Sequence, residues 1–460
     1  MANSETRQQN RKDMMLNEPV ARTITKMALP TIIAFLINSI YSLADTYFVS
    51  SLGTNATAAV SVNASLDQLI LMAGSMLGIG ATSYISRLLG AKNEEKASEV
   101  LSTAFFAALV FGSIVLTAGT LFMDEMVTLM GATETCKQYA IDYATYVLLA
   151  APFMAASFVM NQCLRGEGSA VLSMIGMGAG GVINCVLDPI FIFWLDMGVA
   201  GASLATAISK VISFSILITP YLRKKTILRL SWRRFKLARD TVTQVVTVGS
   251  SSMFRNGLAI LSAVVLNHIA GGISDSVLAG IGVCTKVMMF PFGVILGFGT
   301  GFQPVAGFNW GAKRYDRVRE SWHFASIAGV IVAAAMSLVL VIFADQLIVL
   351  FSEVDPEMQR IGALSIRLQA LALPIHAWVA IVNMFCNGLG YGGYAIVLAT
   401  SRQGSCFLPI VYPLAWFFGA AGVASVQAVA DVFTLLLAVP ILTKVKKRIN
   451  AAEQGHLQTV

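Results

Sequence analysis

Twelve runs of mainly apolar residues, each long enough to cross a bilayer, take up most of this 460-residue chain. A membrane-spanning helix needs about 20 such residues. The composition agrees, since 56% of the residues are hydrophobic and only 12% are charged, whereas soluble domains carry about 25% charged residues. We therefore predict an all-α integral membrane protein with twelve transmembrane helices. A water-soluble enzyme is excluded.

The predicted spans are separated by charged residues or by turns rich in Gly, Asn and Asp. We number them 1 to 12 in chain order. They lie near residues 24–49, 60–86, 98–122, 139–164, 170–194, 198–221, 241–269, 278–308, 320–343, 360–388, 394–417 and 421–443. The turns between them are too short to hold an extramembrane domain.

Basic residues are distributed unevenly between the two sides of the predicted membrane protein. Most Lys and Arg residues fall in the N-terminal tail, after spans 2 and 8, between spans 6 and 7 and at the C-terminal end, whereas the opposite loops hold Lys137 and Arg360. Because short cytoplasmic loops carry an excess of Lys and Arg, we expect both termini in the cytoplasm. The net charge of +7 forms no basic stripe interleaved with aromatic residues, so we expect no nucleic-acid partner.

The chain also contains an internal duplication, the usual origin of two-lobed transporters. Four residues recur 222 positions later: Pro152, Asn161, Gly166 and Gly168 as Pro374, Asn383, Gly388 and Gly390. Others recur at a shift of 221: Gly90, Lys92, Phe122, Asp124, Gly198 and Gly201 as Gly311, Lys313, Phe343, Asp345, Gly419 and Gly422. Each copy has an even number of spans, so the sequence predicts two six-helix lobes related by a pseudo-two-fold axis along the membrane normal.

This duplication divides the chain into five parts. We expect a cytoplasmic N-terminal tail at 1–22, an N-lobe at 23–221, a basic cytoplasmic linker at 222–240, a C-lobe at 241–445 and a cytoplasmic C-terminal tail at 446–460. We expect the linker to be either a solvated loop or a segment that contacts anionic lipid headgroups.

Ionisable residues inside spans are costly and mark functional sites by default. Asn184 precedes Asp188 by four residues, so both side chains lie on one face of span 5. Pro189 follows, and its missing N–H leaves the carbonyl of Cys185 without its helical partner. This face offers hard oxygen donors that suit Na⁺ or a proton; a simple helix kink is the alternative.

Other polar residues of the first lobe lie at a similar depth. Counting 1.5 Å per residue from the outer ends places Asp45, Asp188 and Thr206 roughly 7, 10 and 12 Å into the membrane. Two carboxylates that converge in low dielectric share a proton or a cation. We predict a cation-coupling site made of Asp45, Asp188, Asn184, Thr206 and Tyr41, in which Na⁺ would contact the first four. Further candidates for cation or substrate contacts are Asn38, Asn161 and Asp67.

The second lobe does not repeat this chemistry. At the shift of 221, Asp188 corresponds to Pro409 and Thr206 to Gln427. The charged residues of the second lobe's spans are mostly basic, with Asp431 as the acidic exception. These charged residues either form structural pairs or extend their side chains toward water, or they belong to a central cavity. The candidates for that cavity are Arg255, Lys286, His376, Met174 and Met288.

Taken together, the motifs resemble those of the multidrug and toxic compound extrusion (MATE) transporters, in the branch with DinF-like and MepA-like members. The resemblance spans about residues 23 to 445 and rests on residues 29–30, 45–49, 52–53, 90–92, 163–168, 184–189, 198–206 and 304–313. It implies two six-helix bundles around a cavity that opens alternately to each side. It also implies export of lipophilic, often cationic, drugs in exchange for Na⁺ or H⁺, with no other cofactor.

The same resemblance bears on the site. Tyr41, Asp45, Asn184, Asp188 and Thr206 match the first-lobe cation site of that branch, and Asn161 matches a further polar residue. NorM-like members instead carry acidic residues on the seventh and tenth helices. Here those helices hold Arg255 and His376, so the sequence departs from the NorM-like pattern.

We therefore predict a secondary-active multidrug antiporter and not an enzyme. No G-x4-G-K-[ST] motif for ATP occurs in the sequence. The expected location is a bacterial or archaeal plasma or inner membrane, the expected partners are small-molecule drugs or toxins and membrane lipids, and the expected state is a monomer. Two alternatives stay open: a lipid-linked precursor flippase, which the basic residues of the second lobe favour, and a non-transporting membrane receptor or scaffold.

Overall fold

A computed structural model describes residues 2–350 and 355–455, and the regular structure in those ranges is helical. The helices are α1 (Ala2–Leu16), α2 (Val20–Ser50), α3 (Thr54–Gly90), α4 (Glu94–Leu121), α5 (Met123–Leu129), α6 (Lys137–Gly166), α7 (Ala170–Pro189), α8 (Gly198–Leu222), α9 (Arg239–Ile273), α10 (Asp275–Gly311), α11 (Tyr315–Ile342), α12 (Ala344–Val349), α13 (Pro356–Leu389), α14 (Gly392–Thr400) and α15 (Leu408–Glu453). Two π-helical turns, Ile190–Trp194 and Ser401–Ser405, follow α7 and α14.

Spans 1 to 10 correspond to α2, α3, α4, α6, α7, α8, α9, α10, α11 and α13. Within the described residues, eleven helices are long and apolar enough to cross a membrane, and the last of them, Gly392–Glu453, is 62 residues long. That length holds two spans. They are divided at Gly419, whose φ of 56° and ψ of −133° break the helix inside α15. The prediction of an all-α membrane protein with twelve spans is confirmed.

The duplication is visible in the backbone. Gly198 and Gly419, 221 residues apart, have φ values of 55° and 56°. Positive φ is rare for residues with a Cβ, yet Lys92 and Lys313 share it as well, at 62° and 57°. Equivalent turns of the two lobes therefore follow the same path.

A side-chain contact is duplicated too. Asn161 Nδ2 donates to Ser173 O at 3.0 Å, and Asn383 Nδ2 donates to Ala395 O at 2.7 Å. Both residues of the second contact are shifted by 222 from the first. The repeat thus preserves the way in which the fourth span of each lobe is fastened to the fifth.

The lobes touch backbone to backbone at one end. A Cβ on Gly90 would lie 2.0 Å from Phe308 O, and a Cβ on Gly311 would lie 1.9 Å from Arg87 O. These contacts are equivalent under the repeat, and each tolerates glycine only. Further in, a Cβ on Gly301 would lie 2.5 Å from Ala28 Cα. The glycines of α3 and α10 therefore close the molecule at this end.

The lobes separate toward the other end. Among the described residues, the contact between Asn256 Nδ2 and Ser75 Oγ, at 3.5 Å, is the farthest inter-lobe hydrogen bond from the closed end. Gly293 of α10 still lies against α2, because its Cβ would be 3.6 Å from Ser39 Oγ. Farther along α10, Gly282 faces open space and Lys286 is exposed. A cleft therefore opens between the lobes away from the closed end.

The first and the last described helices, α1 and α15, both reach the closed end. Helix α1 belongs to the segment that we predicted as a tail, and it is held there because Asn309 Nδ2 donates to Met15 O at 3.2 Å. Helix α15 continues to Glu453, past the predicted lobe boundary at residue 445, and Glu453 pairs with Arg319. Residues 456–460 of the predicted C-terminal tail lie outside the described residues.

The linker is built into the N-lobe more firmly than a solvated loop would be. Thr226 and Leu228 are fully buried. The carboxylate of buried Glu167 accepts from the N–H of Ile227 at 3.0 Å and of Leu228 at 3.2 Å, and Arg11 of α1 lies 3.5 Å from it. Burial raises the pKa of Glu167 to about 7. The interpretation of the linker as a solvated loop is therefore wrong for residues 226–228.

Candidate cation-coupling and substrate site

The residues predicted on spans 5 and 6 meet in a buried polar cluster. Asn184 Nδ2 donates to Asp188 Oδ1 and to Thr206 Oγ1, both at 3.2 Å. All three side chains are buried. The four-residue spacing puts Asn184 and Asp188 on one face of α7, and the helix changes to a π-helical turn directly after Pro189. Such turns are frequent at functional sites.

Span 1 approaches this cluster because α7 lacks side chains where the two helices meet. A Cβ on Gly181 would lie 3.3 Å from Tyr41 Cδ1, and one on Gly178 would lie 3.2 Å from Ile37 Cδ1. Asp45 is one helical turn beyond Tyr41, and it lies close enough to Asp188 for their charges to interact.

Three oxygens of this cluster are buried and make no hydrogen bond: Asp45 Oδ1, Asp188 Oδ2 and Asn184 Oδ1. A buried oxygen without a donor is costly. Two of the three belong to carboxylates whose charges repel each other, so a proton or a small cation shared between them relieves both costs. In residues 2–350 and 355–455, no group of three or more His, Cys, Asp and Glu side chains is arranged to hold a metal ion. The oxygens available for Na⁺ are thus those of two carboxylates and an amide.

Our sequence analysis did not assign Lys210 to the site. Its Nζ donates to Tyr41 Oη at 3.2 Å and lies 5.0 Å from the centre of the Tyr41 ring. The charge of Lys210 also acts on Asp45 and Asp67. Lys210 follows Thr206 by four residues, and this helical spacing is the signal that could have revealed it. The first lobe therefore places one ammonium near the carboxylates of Asp45 and Asp67.

Four other predicted residues lie apart from this cluster or at its margin. Asn161 bonds to Ser173 O and accepts from Arg165, so its contacts fasten spans 4 and 5 to each other. Asn38 and Met174 are partly buried on α2 and α7. Met288 is 1% exposed in an apolar cluster of the second lobe. It therefore lies in a core and does not line the cleft as we expected.

The second lobe holds a cluster of its own. Arg402 binds the Asp431 carboxylate through Nε at 2.6 Å and Nη2 at 3.4 Å. His376 Nδ1 lies 4.0 Å from the same carboxylate. The Arg402 guanidinium lies over the Phe292 ring at 4.8 Å, and Phe292 contacts the His376 ring at 5.0 Å between centroids. Arg402 is therefore paired with an acidic side chain of its own lobe.

The MatE family model matches residues 30–190 and 252–416, one segment in each lobe. The chain belongs to the MatE family. MatE proteins are transporters and not enzymes. The first matched segment contains Asp45 and Asp188, and the second contains Arg255, His376 and Arg402.

Curated relatives of this MatE protein include the multidrug export protein MepA of Staphylococcus saprophyticus. It is 26% identical over 440 residues, which cover 95% of this chain and 97% of the relative. The MepA protein of Staphylococcus aureus strain NCTC 8325 is 26% identical over 434 residues, with coverage of 94% and 95%.

Two solved structures share the fold. One is the outward-facing conformation of a multidrug resistance MATE family transporter of the MOP superfamily, with a TM-score of 0.89, 24% identity and coverage of 96% of this chain and 98% of the other. The second, MATE in complex with MaL6, has a TM-score of 0.89, 24% identity and coverage of 96% and 99%.

Proposed function

We propose that this MatE protein is a secondary-active multidrug efflux antiporter. It exchanges lipophilic, cationic compounds for Na⁺ or H⁺ by alternating access. The observation that carries the proposal is the set of buried, unpaired oxygens of Asp45, Asp188 and Asn184 in the first lobe, in a molecule whose inter-lobe cleft is open at one end only. The names of the MepA relatives support export of drugs by a chain of this design.

The coupling follows from the charges. Without a bound cation, Asp45 and Asp188 repel each other in a region of low dielectric, which favours an arrangement that keeps the site accessible to water and ions. Binding of a cation removes the repulsion. For exchange to occur, the cation and the drug must stabilise different conformations of the lobes. The glycine contacts at the closed end must then separate, and the open end must close.

A membrane potential supplies enough free energy for this exchange. Entry of one charge yields about 2.3 kcal/mol per 100 mV. At 1.4 kcal/mol per tenfold, this corresponds to a substrate gradient of roughly 40-fold. No nucleotide is required.

We also propose that both termini face the cytoplasm of a bacterial or archaeal cell. The positive-inside distribution of Lys and Arg supports this orientation, and α1 and the end of α15 both lie at the closed end. The cleft would then open to the outside. Labelling of a cysteine introduced at Glu453 by an impermeant maleimide tests the orientation, because it should occur in inverted vesicles and not in intact cells.

The function is tested with purified protein in proteoliposomes loaded with a fluorescent cationic dye. A Na⁺ gradient and a pH gradient are imposed separately, so that dye movement under one of them identifies the coupling ion. Absence of dye movement under both gradients would contradict the proposal. Translocation of a fluorescent phospholipid in the same vesicles, scored by dithionite bleaching, distinguishes the flippase alternative. A receptor or scaffold would move neither compound.

A further inference from the structure

The duplication places opposite charges at one equivalent position. Lys210 of span 6 and Asp431 of span 12 are 221 residues apart. Lys210 follows Thr206 by four residues, and Asp431 follows Gln427, the equivalent of Thr206, by four residues. In the first lobe the ammonium lies among carboxylates. In the second lobe the single carboxylate lies beside the Arg402 guanidinium and the His376 ring. The polarity of the polar cluster is therefore reversed between the lobes.

The second cluster contains more positive charge than Asp431 can balance. Arg402 binds the carboxylate directly. Arg255 precedes Leu258 by three residues on α9, so both lie on one side of that helix. Leu258 contacts the turn that carries Arg402, since a Cβ on Gly404 would lie 2.9 Å from Leu258 Cδ1. The charge of Arg255 acts on His376. None of the acidic side chains in the described ranges lies within 4.0 Å of Arg255. A cation without a counter-ion in this position attracts an anion.

A buried nitrogen without a partner points to the same conclusion. His376 is 8% exposed, and its Nδ1 is buried without a hydrogen-bond partner. It lies 4.0 Å from Asp431, too far for a hydrogen bond. Arg402 and His376 both contact the Phe292 ring, which gives the cluster an apolar wall. Guanidinium and imidazole donors beside an aromatic ring suit a carboxylate attached to an aromatic or aliphatic body.

Lys286 indicates how an anion reaches the cluster. It lies seven residues before Gly293 on α10, so both residues are on one face of the helix. Gly293, which is nearer the closed end, contacts α2 with this face. At the level of Lys286 the lobes have parted, and its side chain is exposed. A cation in this position raises the local concentration of anions in the cleft.

We propose that Arg255, Arg402 and His376, beside Phe292, form a subsite for the carboxylate of an exported compound. The preferred substrates are then zwitterionic amphiphiles, whose cationic part faces the acidic first lobe. This inference rests on the proposed export function. Asp431 acts as the internal counter-ion of Arg402 and competes with the substrate for it.

A pair of dyes isolates the carboxylate. Rhodamine 110 carries a free carboxylate beside its xanthylium cation, and rhodamine 123 is its methyl ester. Binding of both dyes to the purified full-length protein is measured by fluorescence anisotropy. We expect rhodamine 110 to bind about tenfold more tightly than rhodamine 123, the difference expected for one charge-assisted hydrogen bond.

Two variants should act in opposite directions. Arg255→Gln should weaken the binding of rhodamine 110 about tenfold and leave rhodamine 123 within about twofold. Asp431→Asn should tighten the binding of rhodamine 110, because it removes the competing carboxylate. Misfolding cannot produce effects of opposite sign. Arg319→Gln removes a positive charge from the same lobe at the closed end, where Arg319 pairs with Glu453, and should leave both dyes unchanged.

Equal affinity of the wild-type protein for the two dyes would overturn the subsite, as would a parallel loss of both dyes in Arg255→Gln. Energised efflux of rhodamine 123 from proteoliposomes is measured separately. If rhodamine 123 is exported without any preference for the carboxylate, the subsite fails and the export function stands. If neither dye is exported under any gradient, the export function itself fails.

Discussion

The Lys210 ammonium lies 3.2 Å from the hydroxyl of Tyr41. Span 6 thereby brings a positive charge to a site whose other charged members are Asp45, Asp67 and Asp188. A fixed cation beside carboxylates weakens their hold on a mobile cation. Lys210 therefore limits how tightly the coupling ion binds, and this favours its release after each cycle.

The first prediction concerns this ammonium. Lys210→Gln should increase the apparent affinity for the coupling cation about tenfold, as expected when one nearby unit charge is removed at an effective dielectric constant of about 20. Maximal dye flux should fall, since ion release becomes slower. The measurement is the ion concentration that gives half-maximal flux in proteoliposomes. Lys137→Gln, which affects the first residue of α6, paired with Asp124 at 3.3 Å, is the control. An unchanged half-maximal concentration in Lys210→Gln would contradict this role.

The second prediction concerns the carboxylates. Asp188→Asn and Asp45→Asn should each abolish cation-driven export, because the amide cannot neutralise or release a cation. Each protein should still fold, since Asp188 Oδ2 and Asp45 Oδ1 make no hydrogen bond that the amide would lose. Dye efflux and size-exclusion profiles are measured in parallel. Asp124→Asn, on the short helix α5, should behave as wild type. Full efflux in Asp188→Asn would remove the site assignment.

The third prediction concerns the closed end. Gly90→Ala or Gly311→Ala adds a Cβ about 2 Å from a backbone oxygen of the opposite lobe, so the lobes cannot keep this contact. A cysteine in place of buried Ser86 should then react several-fold faster with an impermeant maleimide applied from the side of the termini. Gly272→Ala is the matched control, because a Cβ there meets nothing within 4 Å. Equal labelling rates would show that these glycines do not hold the lobes together.

The fourth prediction concerns pH. Glu167 has its pKa raised from 4.5 to about 7 by burial, so the protonated form is the one that the docked linker favours. The stability of docking is fully present below about pH 4.5 and is lost as the pH rises through about 7. Hydrogen-exchange protection of the Ile227 and Leu228 amides should fall by about tenfold per pH unit within that window. Glu167→Gln should remove this dependence. Protection that rises with pH would contradict the assignment.

Sequence reasoning predicted the architecture well, because length and apolarity determine which segments cross a membrane. The duplication could be recognised from recurring residues alone, and it agrees with the positive φ values shared by Gly198 and Gly419. The helical course of residues 2–16 was missed, because α1 is held at the closed end by long-range contacts such as Gln8 with Thr226 O at 2.9 Å.

The candidate site was only partly predictable. Asn184 and Asp188 could be paired because helical periodicity places residues four apart on one face. The pairing of Arg402 with Asp431 joins two segments far apart along the chain. A single sequence contains no signal for such a contact. Met288 shows the reverse difficulty, since an apolar residue on a span can face a cleft or a core, and only tertiary packing decides between them.

The contacts that Gly90 and Gly311 make with the opposite lobe involve peptide groups, which neither titrate nor bind salt. We therefore expect the stability of these inter-lobe contacts to be independent of pH and salt concentration. Coupling by the proposed site must therefore be mechanical. A change in charge at the site would move rigid helices, and this movement would separate the Gly90 and Gly311 contacts on the other side of the membrane.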